Sequence, residues 1–466
     1  MITAEWSRAP YELLLPLWRQ WLAEDVQLIG QWPLLDRWLK RQLPLLKNRG
    51  AVKASQRKKV PPPVLDLPTQ LSISAAMFSA MRFLQLAAAL EYSYCAQTLS
   101  IDWSVWDSHW LPADVHKIPP AAVWYWVALR HNPDASAPEA LRDAASRKDW
   151  FLKAQQTLAV PDRVLGQSPQ DASALLWHGL RPQWSGLLQA RAEVSGWSAQ
   201  DLKRFVVMQN QSPPLWLRPQ GEMEAAELLP LLSREGVEVI LDSDGLYAFG
   251  GTGITQTTPY KNGWVEIQDR ASQHIAASVA ARPGDKVWDA CAGAGGKSLA
   301  IAARMNNRGM ILATDLQSYK LDELKRRAKR AGLYNIRTFE WQGREALRLP
   351  VEAARQQGFD WVLVDAPCTS AGTWRRNPDA RWRFNVMDTN ELLDLQKTIL
   401  ISASKAVRPG GYLVYATCSW QVSENENQVA DFLEGHPSFS LQSRTLVGAP
   451  VWNADTMFVA VLKKSN

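Results

Sequence analysis

The stretch Asp285-Lys-Val-Trp-Asp-Ala-Cys-Ala-Gly-Ala-Gly-Gly-Lys-Ser-Leu-Ala-Ile-Ala-Ala-Arg304 decides the fold. It reads as a short strand, a glycine-rich turn and a helix, the opening unit of a nucleotide-binding α/β sheet. Gly293, Gly295 and Gly296 let the backbone approach a ligand closely. The turn nearly matches a phosphate-binding P-loop, because Gly296-Lys297-Ser298 are in place, but Cys291 stands where the first glycine belongs. It also misses the dinucleotide fingerprint, since Ser298 occupies the place of the third glycine after Gly293 and Gly295. A second strand, Gly309-Met-Ile-Leu-Ala-Thr-Asp315, then puts a carboxylate 26 residues after Asp289. An acid at that strand tip accepts hydrogen bonds from ribose hydroxyls, which selects an adenosine-type cofactor without fixing its identity.

Downstream, two cysteines each close an apolar, β-branched run: Cys368 in Val-Leu-Val-Asp-Ala-Pro-Cys (362–368) and Cys418 in Tyr-Leu-Val-Tyr-Ala-Thr-Cys-Ser (412–419). Both thiols are therefore expected at the C-terminal edge of a parallel sheet, where open α/β folds bind their ligands. A single buried cysteine is more often a small hydrophobe. Two of only four cysteines at one sheet edge point instead to nucleophilic chemistry.

These segments resemble the S-adenosylmethionine-dependent RNA cytosine-5 methyltransferases of the Sun type, in particular the bacterial small-subunit ribosomal RNA methyltransferase B group. The resemblance runs from about Asn210 onward. It rests on Asn210-Gln-Ser-Pro-Pro-Leu-Trp-Leu-Arg218, Val265-Glu-Ile-Gln-Asp-Arg-Ala-Ser-Gln273, Asp289-Ala-Cys-Ala-Gly-Ala-Gly-Gly-Lys297, Asp365-Ala-Pro-Cys-Thr-Ser-Ala-Gly-Thr-Trp-Arg-Arg-Asn-Pro-Asp379, and Ala416-Thr-Cys-Ser419 followed by Glu424-Asn-Glu426. It implies a Rossmann-like methyltransferase sheet, S-adenosyl-L-methionine as cofactor and RNA, ribosomal RNA above all, as partner.

The resemblance also assigns roles. Cytosine carbon 5 is too weak a nucleophile to take a methyl group unaided, so a thiolate first adds to carbon 6 and turns the ring into an enamine. The family uses the cysteine of Thr-Cys-Ser, here Cys418, as that nucleophile, and the cysteine of Asp-Ala-Pro-Cys, here Cys368, in product release. Asp365 is suited to hold the pyrimidine edge while charge develops. The cofactor turn carries over as Cys291, Ala292, Gly293, Ala294, Gly295, Gly296 and Lys297, with Gly293-Ala294 where the family has Ala-Pro. Asp315 matches the ribose-binding acid, and Gln342 stands at the position of a further acid that accepts from the adenine amine. An amide oxygen accepts that bond without charge assistance. Arg375, Arg376 and Arg381, with Asp379 and Trp382, form a basic, aromatic segment that is expected either to touch the RNA backbone or to be a solvated loop.

Composition agrees with this reading. A net charge of +6 permits a polyanionic partner without the excess of a protein that binds nucleic acid by charge alone. The chain has 23 tryptophans, most of which should be core. The cysteines show no C-x-x-C and no pairing pattern, which fits a reducing cytoplasm. The histidines are scattered, so no metal site is expected, and no segment has the uninterrupted apolar length of a membrane span. A soluble, cytoplasmic monomer is the expectation. The absence of an Asn/Asp-Pro-Pro-Tyr motif argues against amino methylation of small molecules or proteins.

Three regions follow. Residues 1–198 carry Leu, Trp and Ala at helical spacing and are expected to be all-α, the position of a NusB-like RNA-binding domain in the family. The basic run Lys53 to Lys59 and Pro61-Pro-Pro63 mark a break within it. Residues 199–282 read as a small ferredoxin-like α/β module of the kind that clamps RNA, and 283–466 as the catalytic sheet. The fold class is thus α/β with an N-terminal all-α domain and a small α/β appendage.

Overall fold

Apolar β-branched runs capped by carboxylates build the central sheet. The computed structural model describes residues 10–27, 32–54, 65–159, 171–249, 253–384 and 386–466. The basic run beyond Ala54 and Pro61-Pro-Pro63 lie outside the described residues.

Eleven strands in the described residues form two sheets. The larger is built from Lys286–Asp289 (β5), Met310–Asp315 (β6), Ile336–Glu340 (β7), Phe359–Asp365 (β8), Val407–Thr417 (β9), Phe439–Val447 (β10) and Met457–Lys464 (β11), in the order β10-β11-β9-β8-β5-β6-β7. Strands β7, β6, β5, β8 and β9 are mutually parallel, β11 adds antiparallel to β9, and β10 pairs antiparallel with β11 at the edge. The central strands are covered on both faces: Val287, Trp288, Val362, Leu363 and Val364 are all buried. The chain enters at β5 and builds outward in both directions, so the order reverses between β5 and β8 and opens a crevice at their C-terminal ends. Register then fixes the site. Asp289 pairs with Leu363 and with Ala313, Asp365 with Ala416, and Asp315 with Glu340, so every candidate strand-end residue reaches the same edge.

The smaller sheet comprises Leu215–Pro219 (β1), Val239–Asp242 (β2), Gly245–Ala248 (β3) and Val265–Ile267 (β4) in the order β2-β3-β1-β4, each neighbour antiparallel. Read from the other edge this is 4-1-3-2, the order of a ferredoxin-like split βαβ unit, with the helix Ala225–Arg234 as its first crossover. Leu228 and Leu232 on that helix pack with Leu217, Leu246 and Val265.

The chain divides into two compact units whose limits differ from the sequence reading. One holds 1–211 and 374–383; the other holds 212–373 and 384–466, so the small sheet and the catalytic sheet form a single unit. The expected boundary at 198 falls before the helix Ala199–Met208, which belongs to the helical unit because Phe205 stacks on Trp197 and the helix buries Leu202, Phe205 and Val206. The helical unit is all-α in its described residues, with a core rich in tryptophan: Trp18, Trp21, Trp38, Trp124 and Trp126 are fully buried. Its helices Leu67–Arg82 and Leu84–Ala96 are apolar but bent by 65° at the break between them, and both bury most of their length in that core. No single helix among the described residues is long and apolar enough to cross a membrane.

Candidate active site

Two loops, one after β8 and one after β9, bring the two strand-end thiols together. Ala366 N–H donates to the Ala416 carbonyl at 2.8 Å, extending the β8–β9 pairing past the strand end. Cys368 Sγ then lies 3.3 Å from Cys418 Sγ, too far for a disulfide and close enough for a thiol to donate to a thiolate.

The two sulfurs are not equivalent. Cys418 Sγ sits 3.4 Å from Ser370 Oγ, and the hydrogen bond from Cys368 holds its pKa below the ordinary thiol value, with Ser370 and the Lys297 charge acting the same way against burial and Asp365. Cys368 is pushed well above that value by the same bond, by burial and by the nearby Glu424 charge. These shifts run in opposite directions, so Cys418 is the member of the pair whose ionisation the surroundings favour. Ser370 adopts φ +56, a left-handed backbone rarely held by a non-glycine residue, as part of this turn.

A buried network fixes both turns. Glu424, fully buried, accepts from Thr369 N–H at 2.8 Å, Thr369 Oγ1 at 2.6 Å and Gln396 Nε2 at 3.0 Å. Asn425 accepts from Thr417 Oγ1 at 2.6 Å and donates to the Ser419 carbonyl at 2.9 Å. The first residue thus ties down the Cys368 turn and the second the Cys418 turn. Glu424-Asn-Glu426 and Ser370 were visible in sequence only as parts of the motifs that carry the resemblance, with no role assigned to them.

The glycine turn lies beside them. Gly293 and Gly295 take φ +55 and +82, and a side chain on Gly295 would run into Leu324, so the tight path into the helix Gly296–Arg304 requires glycine there. Asp315 accepts from Gly293 N–H at 3.0 Å and from Gln317 N–H at 2.9 Å. Arg327 braces the turn by donating to the Ala294 carbonyl at 2.7 Å while bonding Glu266 at 2.8 Å, a contact spanning segments too distant for sequence reading. Ala292 N–H donates to the Thr314 carbonyl at 2.8 Å, and Gln342 is exposed just past β7, next along the same edge. Burial raises the Cys291 thiol well above its ordinary range, with the Asp289, Asp365 and Asp315 charges adding to it, which disfavours its thiolate.

Lys297 reaches back from the helix to Asp365, Nζ to Oδ2 2.7 Å. Burial disfavours its charge, but Asp365 outweighs that and holds the ammonium protonated. Behind this pair Asp289 is completely buried; Ser298 Oγ donates to its Oδ2 at 2.6 Å, while Oδ1 has no partner among the described residues.

The expected RNA-contact arginines divide differently. Arg375 and Arg381 are fully buried in the helical unit: Arg375 donates to the carbonyls of Met208 at 2.8 Å and Gln211 at 3.0 Å, and Arg381 to those of Gly179 at 2.8 Å and Gln209 at 3.2 Å. Their guanidiniums have no surface to offer a phosphate, which corrects the expectation for these two residues. Trp382 joins the same core and donates to the Met81 carbonyl at 2.6 Å. Arg376 is half-buried. Among the described residues no group of three or more His, Cys, Asp or Glu side chains could hold a metal ion.

Residues 276–461 match the family model described as 16S rRNA methyltransferase RsmB/F. This part of the chain is similar to that family. A probable ribosomal RNA small subunit methyltransferase B of Bacillus subtilis (strain 168) is 34% identical over 264 residues, covering 55% of this chain and 57% of the relative. The ribosomal RNA small subunit methyltransferase B of Yersinia enterocolitica is 28% identical over 349 residues, covering 72% and 77%. The chain thus spans little more than half the length of the Bacillus subtilis relative. Among solved structures, a methyltransferase homolog protein from Pyrococcus horikoshii superposes with TM-score 0.53 at 21% identity, covering 64% of this chain and all of that one. NSun6 from Pyrococcus horikoshii, solved with SFG, superposes with TM-score 0.52 at 16% identity, covering 60% and 98%. These likenesses establish the Rossmann-like methyltransferase fold.

Proposed function

We propose that the chain transfers a methyl group from S-adenosyl-L-methionine to carbon 5 of a cytosine in RNA, with 16S ribosomal RNA as the substrate, through a covalent Cys418 adduct. The observation that carries this reading is the Cys418–Cys368 pair at 3.3 Å beside the Lys297–Asp365 ion pair. The residues present fit the cofactor. Glycines at φ +55 and +82 open the backbone, Asp315 keeps lone pairs beyond its two backbone bonds, and the orphaned Asp289 Oδ1 is an acceptor in want of a donor. Gly293, Gly295, Gly296, Asp315 and Gln342 would hold the group, and when bound it supplies an electrophilic methyl.

The side chains divide the remaining work. Cys418, as thiolate, adds to carbon 6 of the base, and the electron pair moves onto carbon 5. Asp365, held by Lys297, meets the nitrogen 3 and amino edge and stabilises the ring as it takes up charge. Carbon 5 takes the methyl group, a base removes its proton, and the electrons of that C–H bond restore the double bond as Cys418 leaves. Cys368, still protonated, offers its S–H as a hydrogen bond to the departing Cys418 thiolate, which eases the elimination and restores the starting pair, in keeping with its raised pKa and its 3.3 Å contact. The described helices of the N-terminal unit serve as an RNA-binding domain of NusB-like kind, and Arg376 contributes an RNA contact.

The two thiols give the test. Cys418→Ala is expected to abolish methyl transfer to RNA. Cys368→Ala is expected to form the adduct and release it slowly, leaving a protein–RNA species that survives denaturing electrophoresis and is lost in the double variant. An adduct in Cys418→Ala instead would reverse the roles. Unchanged methylation in both variants would make the cysteines packing residues and the reading wrong.

A further inference from the structure

A second concave site lies within the catalytic unit, away from the thiols. It is a pocket of about 600 Å³ between the small sheet and the helices Arg270–Ser278 and Gly296–Arg304, lined by Arg218, Arg270, Gln273, His274, Arg304 and Asn306 among others. Its volume is in the range of small-ligand pockets, roughly 300–1,000 Å³. Among the described residues, no carboxylate lines it.

Three arginines facing one cavity repel one another unless an anion joins them, and each here is short of partners. Arg218 Nε donates to Gln268 Oε1 at 2.6 Å and its Nη1 to the Gln220 side chain, but the buried Nη2 has no partner among the described residues. Arg270 lies over the face of Trp452, 5.8 Å from the ring centroid, and its charge also acts on Asp242 and His274, while Arg304 is exposed at the end of its helix. Neither makes a hydrogen bond or ion pair with a described residue. The nearby Glu266 partly offsets the Arg218 charge, but its own oxygens are engaged by Arg327 at 2.8 Å and by Arg330, so it pairs directly with none of the three. Asp242, the other neighbouring carboxylate, feels the Arg270 charge without forming an ion pair with it, and accepts from Tyr247 Oη at 2.8 Å and from the N–H of Asp244 at 2.8 Å.

We propose that this pocket binds a backbone phosphodiester of the substrate RNA, with Arg270 and Arg304 as the contacting cations and Arg218 as the fixed positive wall behind them. Arginine suits this task because its planar fork offers paired donors to phosphate oxygens. The helix Gly296–Arg304 is 9 residues long, so Arg304 lies roughly 12 Å from the glycine turn at 1.5 Å rise per residue. The pocket therefore grips strand flanking the target base and leaves the base itself to the thiols. This inference rests on the proposed RNA substrate.

The test uses the full chain carrying Arg270→Ala with Arg304→Ala, and an Arg270→Lys with Arg304→Lys control, in binding and methyl-transfer assays on unmethylated 16S ribosomal RNA fragments at several salt concentrations. Removing one cation from one phosphate should reduce the slope of log affinity against log salt by about 0.7 for single-stranded RNA. The alanine variant is expected to show a slope smaller by about 0.7 to 1.4 and a KM for RNA about tenfold higher, with kcat and the thermal shift by S-adenosylmethionine unchanged. The lysine control should recover most of the slope. Unchanged slope and KM in a variant of wild-type melting temperature overturn the inference while leaving the methyltransferase reading intact. Inorganic phosphate that raises the wild-type melting temperature, but not that of the alanine variant, with no change in RNA slope identifies a free-phosphate site and also overturns it. Wild-type protein that neither binds nor methylates RNA overturns both.

Discussion

Asp289→Asn is the perturbation whose size the structure fixes most directly. Burial pushes the Asp289 carboxyl up to about 7 from an ordinary 3.8; the Asp365 and Asp315 charges add to this, while Ser298 and Lys297 act against it. An acid that holds its proton more tightly when folded stabilises the fold below its unfolded pKa, and that stabilisation is lost as pH rises through the folded pKa. For Asp289 the loss runs from about pH 4 to about pH 7. At about 1.36 kcal/mol per pH unit, this span corresponds to a ceiling of about 4 kcal/mol. The asparagine variant keeps the shape and the Ser298 bond without a charge to bury. Its stability should match wild type near pH 4 and exceed it increasingly up to pH 8, by an amount approaching that ceiling. Denaturant midpoints of both proteins at pH 4, 5, 6, 7 and 8, without ligand, read the difference. S-adenosylmethionine should then narrow the gap at pH 8, because its cationic amine gives the ionised carboxylate the partner that Oδ1 lacks. A stability gap that stays flat from pH 4 to 8 would show that Asp289 does not titrate in this range and would refute the reasoning.

Two further outcomes follow from the buried polar contacts. Glu424→Ala removes the acceptor of three hydrogen bonds and should cost about 2–3 kcal/mol of stability while lowering kcat more than KM for S-adenosylmethionine; the rate at which iodoacetamide alkylates Cys418 should change with it, and Glu424→Gln should restore part of that rate. Arg381→Ala strips the donors from the Gly179 and Gln209 carbonyls and should destabilise the helical unit by about 3 kcal/mol or more without altering the salt slope of RNA binding; a fall of about 0.7 in that slope with the fold intact would return Arg381 to the RNA surface.

What was legible in the sequence is what chemistry ties to a strand end. Asp289, Asp315, Asp365, Cys368 and Cys418 each follow a short apolar run, and a parallel sheet carries such positions to one edge whatever the rest of the chain does. The ferredoxin-like order of the small sheet was legible for the same reason, since alternating runs and a single helix leave few topologies. The arginines after Trp374 failed as surface candidates because charge predicts exposure only when nothing inside can satisfy it. Here the satisfaction comes from backbone carbonyls at helix ends, those of Gly179, Met208 and Gln209, more than 160 residues earlier in the chain. No local pattern distinguishes a guanidinium destined for those carbonyls from one destined for a phosphate. Both need fixed donors in the same fork geometry, and only the partner differs.

The roles expected of the two cysteines rest on the resemblance alone, because their own neighbourhoods in the sequence do not separate them. Cys368 and Cys418 sit in similar sequence settings, each just past an apolar strand, and an isolated strand end gives no reason for one thiol to ionise before the other. The asymmetry arises only across the fold: Ser370 and Lys297 converge on Cys418, whereas Glu424 lies nearer Cys368. Two thiols 3.3 Å apart cannot both ionise cheaply, so a small difference in surroundings decides which carries the charge. Glu424 thereby does two things at once. Its bonds to Thr369 set the position of the Cys368 turn, and its charge adds to the Cys418 bond and to burial in raising the Cys368 pKa.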